Sequence, residues 1–172
     1  MVKETNIWLI TDTHFGHDKM LEYCNRPTDF NETLEKNLME LHDGVLIHLG
    51  DICIGRDSYW HEKIFQKLDV KKWLVKGNHD KKSNSWYLNH GWDCVVDGMN
   101  LEMYGKKICL SHRPKQDDFW YDINIHGHFH NTDHRTYEPA LIAIANMKQK
   151  LLAVEYTGYK PVLLRTLIES RK

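Results

Sequence analysis

Three short apolar runs, 6–11, 44–51 and 72–80, each end in residues able to bind a metal ion: Asp12 and His14, then Asp51, then Asn78 and His79. A brief apolar run bounded by polar turns is the pattern of a strand buried on both faces. Between the runs the pattern becomes helical. Asn31 is placed to cap a helix with Glu32 and Glu35 in its first turn and Leu34, Leu38 and Leu41 as its apolar stripe. Residues 57–68 read as a second helix. Strand, helix, strand, helix, strand predicts βαβ units and a parallel sheet. In such sheets ligands collect beyond the carboxyl ends of the strands, so the polar ends are expected to meet in space.

The second half carries shorter segments separated by turn residues: 92–98, 99–105, 107–112, 122–128, 140–146 and 150–156. These predict hairpins and a second sheet, with a closing helix at 161–170. His112 ends one of the runs. In 123-INIHGHFHN-131, His126, His128 and His130 share a parity, which on a strand puts them on one face. Taken singly, Asn78 is an ordinary turn residue and His112 an ordinary loop histidine. Five strand ends that all finish in metal-competent groups point to one shared metal site.

Composition limits what that site can serve. The 172 residues, 41% hydrophobic and 27% charged, suit one globular domain over 1–172, and no linker-like tract divides it. A net charge of −1 and the absence of a dense Lys/Arg block argue against a duplex nucleic-acid partner. No stretch approaches the roughly 18 apolar residues of a membrane span, and the start lacks a signal-like apolar core. A cytoplasmic protein with no membrane partner is expected. Cys24, Cys53, Cys94 and Cys109 form no C-x-x-C pair and read as buried thiols.

The ordered motifs Asp12-Thr13-His14, Gly50-Asp51, Gly77-Asn78-His79-Asp80, His112 and Gly127-His128-Phe129-His130 resemble those of the calcineurin-like metallophosphoesterase family. The longer forms DTHFGH, CNRP and YTGYKPV resemble a small bacterial and phage branch of it. The resemblance implies an α/β fold: a two-sheet β-sandwich flanked by helices in four αββα layers, with no cap domain. It also implies a metal-dependent phosphoesterase that hydrolyses a phosphomonoester or phosphodiester through a hydroxide bridging two metal ions. By the same resemblance Asp12, His14 and His130 hold one ion, Asn78, His112 and His128 the other, and Asp51 bridges them, while His79 is the general acid. His126 has no counterpart among these ligands and reads as a packing histidine. Mixed nitrogen and oxygen ligands suit Mn²⁺, Fe and Zn²⁺, with Mn²⁺ expected to support activity most readily.

The chain departs from the phosphoprotein phosphatases of the family, which carry GD-x-x-D-R-G. Ile54 stands where the second Asp would be, so the usual partner of His79 is missing, and Arg56 is displaced by one residue. Asp80 is the neighbouring carboxylate that could orient His79. His17, Arg26 and Arg113 are candidate contacts for a small phosphoester or nucleotide-like substrate, and 117-DDFWYD-122 could line a pocket for a planar group. Two other functions fit the motifs: a binding scaffold with little turnover, and a nuclease on short or single-stranded nucleic acid.

Overall fold

A computed structural model describes residues 5–115, 120–132 and 148–169. Strands β1 (Ile7–Ile10), β2 (Val45–His48), β3 (Lys71–Val75) and β4 (Cys94–Val96) run parallel in the first sheet. Strand β9 (Val162–Leu163) lies antiparallel against β1, giving the order β4-β3-β2-β1-β9. In the second sheet, β5 (Met99–Met103) and β6 (Lys106–Ser111) form an antiparallel hairpin, and β7 (Ile123–His126) and β8 (Gln149–Leu151) extend it in parallel. Two mixed sheets flanked by helices is the expected fold class.

The apolar runs of the first sheet serve both of its faces. Alternate side chains Leu9, Ile47 and Val75 meet Ile108, Leu110 and Ile125 of the second sheet. Ile10, Leu46 and Leu74 point the other way, into a cluster with Leu34, Leu38, Ile64 and Phe65. Burying both faces fixes the register of β1 to β3, and with it the points where the strands release their polar ends. No helix among the described residues is long and apolar enough to cross a membrane.

Several boundaries differ from the sequence reading. Segment 92–98 joins the first sheet beside β3, not the second, because a parallel strand continues the βαβ pattern after helix α4 (Asn84–Leu88). The 57–68 helix divides into α3 (Asp57–Trp60) and a π-helical turn, His61–Phe65. Helix α2 (Phe30–Met39) starts before Asn31, whose side chain accepts a bond from the Gly16 N–H at 3.0 Å and so ties the helix to the first motif loop. A four-residue helix, α1 (Met20–Tyr23), was not expected, and the closing helix α5 (Leu164–Glu169) begins only after β9. The 140–146 segment lies outside the described residues.

Two buried histidines make acid sensitivity a property of this core. His48 accepts the Gly50 N–H on Nδ1 at 3.0 Å and faces Thr13 Oγ1 through Nε2 at 3.0 Å. Burial depresses it to about 3. His61, nested among Phe65, Trp86, Tyr87 and Trp92, is depressed by burial to about 4. At these two positions the unfolded chain therefore binds more protons than the folded one below pH 6.5, and their contribution to stability falls as pH drops from there toward 4. At about 1.4 kcal/mol per unit of separation the pair removes several kcal/mol. Denaturant titrations of chelator-treated protein at pH 7, 5.5 and 4.5 should show this fall. His61→Phe should make it shallower; an unchanged slope in that variant would contradict the assignment.

Candidate metal centre

The loops after β1, β2 and β3 run side by side. Asp12 N–H donates to Gly50 O (2.9 Å), His14 N–H to Asp51 O (3.0 Å) and Phe15 N–H to Ile52 O (2.9 Å). This ladder delivers Asp12, His14 and Asp51 to one place. Glycine makes the approach close enough: a Cβ on Gly77 would collide with the Asp51 carboxylate, and one on Gly127 with Asp12 Oδ2 and Thr11 Oγ1. Asp12, His14, Asp51, His128 and His130 all have positive φ, between 48° and 75°. Side chains held in that region are costly, and surrounding contacts must impose them.

Two groups of potential ligands result. In the first, His14 Nε2 and His130 Nε2 lie 3.8 and 3.7 Å from Asp12 Oδ1, a buried oxygen with no hydrogen-bond partner among the described residues. In the second, His112 Nδ1 donates to Leu49 O at 2.8 Å, which directs Nε2 at three other atoms. Those are Asn78 Oδ1 at 3.0 Å, His128 Nδ1 at 3.2 Å and Asp51 Oδ2 at 3.3 Å. The same Asp51 oxygen is 3.7 Å from His14 Nε2, between the groups. Donors that share an ion at about 2.1 Å lie roughly 3.0–3.4 Å apart. The second group already has that spacing, and the first is wider by a few tenths of an ångström. Lone pairs facing one another in a dry site call for a cation or for protons, so the donor set fits divalent ions.

The electrostatics agree. Burial opposes the charge on Asp51, but the bond and charge of His112, the nearby His14 and the His79 N–H outweigh it and hold the carboxyl below its usual range. Burial also pulls His112 down, yet Asp12 and Asp51 push it up to about 9. His130 is likewise opposed by burial and raised to about 10 by Asp12, Cys24 and Glu155. At His14 burial prevails and the shift is downward. Without a cation, the carboxylates keep protons on His112 and His130; ions that bind there displace them.

The remaining sequence candidates separate. His79 Nε2 is 3.9 Å from Asp51 Oδ2 with its side chain 37% exposed. It shares a 170 Å³ cleft with His14, His17, Tyr23 and His130. His17 therefore faces the site, its ring centroid 5.6 Å from that of His14. Arg113 is exposed and outside that lining. Arg26 corrects the expectation of a substrate contact: its side chain is 0% exposed and bonds inward to Asp12 O, Thr13 O and Glu155. Asp80 does not orient the His79 ring, because its oxygens accept the N–H groups of Gly77, Asp51 and Ile52. His126 is fully buried with Nδ1 on Gly127 O at 2.9 Å, a packing position. Of 117–122, Tyr121 is buried and its hydroxyl donates to Lys115 O. Glu155, which accepts from His130 Nδ1 at 3.2 Å, was missed; only its place just before YTGYKPV could have drawn notice.

A family model described as calcineurin-like phosphoesterase matches residues 5–154. The chain is 30% identical over 177 residues to the uncharacterised protein MJ1445 of Methanocaldococcus jannaschii, covering 95% of this chain and 89% of that protein. The crystal structure of AQ665 from Aquifex aeolicus, a protein of unknown function, is similar with a TM-score of 0.74 and 25% identity, over 96% of this chain and 99% of that one. A chain whose strand ends bring these motifs together, and whose sequence the family model matches nearly throughout, belongs to the calcineurin-like phosphoesterases.

Proposed function

We propose that the chain is a dinuclear metal-dependent phosphoesterase acting on small phosphomonoesters or phosphodiesters, as a single domain whose open cleft has no cap. The observation that carries this reading is the position of Asp51 Oδ2, within 3.7 Å of both His14 Nε2 and His112 Nε2. In this reading Asp12, His14 and His130 hold one ion, and Asn78, His112 and His128 the other. Asp51 is common to both. A carboxylate suits that place because it offsets the charge of two cations, while the neutral imidazoles and amide leave them strongly Lewis-acidic. Bound ions would supply a hydroxide nucleophile near neutral pH and neutralise charge growing on the phosphoryl oxygens, with Mn²⁺ the ion expected to serve best.

His79, at the cleft edge, gives its proton to the leaving oxygen. His17 lines the same cleft and contacts the substrate there. Chelator-stripped protein should be inactive and regain turnover with Mn²⁺. A panel of bis-p-nitrophenyl phosphate, p-nitrophenyl phosphate and a single-stranded oligonucleotide then ranks diester, monoester and nuclease activity. Metal uptake with no turnover on any of them would leave a binding scaffold instead.

The role of His79 has its own signature. His79→Ala should lose about 100-fold or more in kcat on an alkyl phosphoester, in the range that general acids contribute. On a p-nitrophenyl ester, whose leaving group needs little protonation, the loss should be small, and metal content should match the parent's. Equal losses on both esters would remove the general-acid role.

A further inference from the structure

The buried pair Arg26 and Glu155 touches the metal centre without belonging to its ligands. Glu155 Oε1 accepts from His130 Nδ1 at 3.2 Å, and from Arg26 Nε and a terminal guanidinium nitrogen at 2.9 and 2.7 Å. That terminal nitrogen, Nη2, also donates to Asp12 O at 2.7 Å, and Nη1 donates to Thr13 O at 2.8 Å. One cation therefore joins the partner of His130 to the backbone at Asp12. Both residues hold positive φ, 50° at Asp12 and 55° at His130, so their placement depends on such ties. A buried ion pair is weak evidence of stabilisation, because desolvation offsets its attraction. Geometry gives this one a purpose: with Nδ1–H given to Glu155, the Nε2 lone pair of His130 turns to Asp12 Oδ1.

We infer that Glu155, held by Arg26, is a positioning residue that sets His130 for the metal position it shares with Asp12 and His14. The inference rests on the two-metal reading above. Glu155 lies one residue beyond the stretch the family model matches. Cys24, His130 and Glu155 also cluster closely enough to suggest an ion of their own. The Arg26 guanidinium, 2.7 Å from the Glu155 oxygen, already neutralises that carboxylate and disfavours a further cation. The other metal position does not depend on Glu155, since His112 uses the Leu49 carbonyl for the same task.

That asymmetry makes the test selective. Mn²⁺ is titrated calorimetrically into the metal-stripped full chain, and melts in chelator report folding. Glu155→Gln is expected to weaken one of two binding steps by about 10–100-fold, the cost typical of losing a partner that orients a ligand. The other step should stay within about threefold. Arg26→Met with Glu155→Met should repeat the pattern without stranding a lone buried charge, which guards against a single variant that does not fold. Both steps unchanged, both weakened alike, or both variants unfolded would overturn the inference. A parent that takes up one equivalent would count against the two-metal reading; the inference would then stand or fall on whether Glu155→Gln weakens that equivalent.

Discussion

Asp51→Asn should strip metal from both positions and lower phosphoester turnover by more than about 100-fold. Removing a group that only orients a ligand costs roughly 10–100-fold in metal affinity, and on the proposed two-metal reading the loss of the carboxylate common to both positions should exceed that. The substitution is conservative in every other respect. Asn keeps the shape and can still accept the His79 N–H that Asp51 Oδ1 accepts at 2.7 Å. It removes the negative charge that two cations would share. His126→Ala is the control, because His126 packs edge-on against the Phe129 ring and bonds its nearest carbonyl at Gly127. Its melting temperature should fall while its metal content holds. Metal analysis by mass spectrometry and diester turnover decide the matter. An Asp51→Asn protein with the parent's metal and rate would refute the shared ligand, and metal loss in His126→Ala would make His126 a ligand.

What could be read from the sequence was whatever local pattern encodes. A strand buried on both faces leaves a continuous apolar run, and the residue that follows it is at once a candidate ligand. Asp12, Asp51, Asn78 and His112 are legible as candidates that way. The parity of His126, His128 and His130 is not what brings the last two to the site: β7 ends at His126, and His128 and His130 follow in a turn at positive φ. Contacts across the fold leave no such trace. Arg26 and Glu155 are 129 positions apart, and Arg26 in CNRP looks like a surface phosphate contact until the fold encloses it. Segment 92–98 resembles the strands of the second half in length and composition, yet it pairs with β3, because sheet membership is decided by the helix that precedes it. Asp80 was read as the neighbour of His79. Adjacent side chains diverge, and its carboxylate turned toward the backbone of another loop.

Asp80→Ala should accordingly be the most damaging single change outside the ligands. The Asp80 side chain is buried, and burial raises its carboxyl despite bonds from three backbone N–H groups. Those bonds, from Gly77 at 2.8 Å, Asp51 at 2.8 Å and Ile52 at 3.1 Å, join the loop after β3 to the loop after β2. Alanine leaves three donors unpaired, those of Asp51 and Ile52 buried and that of Gly77 part-buried, at up to about 1–3 kcal/mol each. For a chain of this length that is a fall in melting temperature on the order of 10 °C. Asn78 and Asp51 sit on the two loops concerned, so metal affinity should fall as well. Gly77→Ala attacks the same joint from the other side, since its Cβ would meet the Asp51 carboxylate and backbone nitrogen. If the joint holds the two loops in register, both variants lose stability and metal together. If Asp80 instead served only the imidazole of His79, Asp80→Ala would lower turnover on poor leaving groups and leave melting temperature and metal content unchanged. The thermal melt and the metal titration therefore separate the two roles without an activity assay.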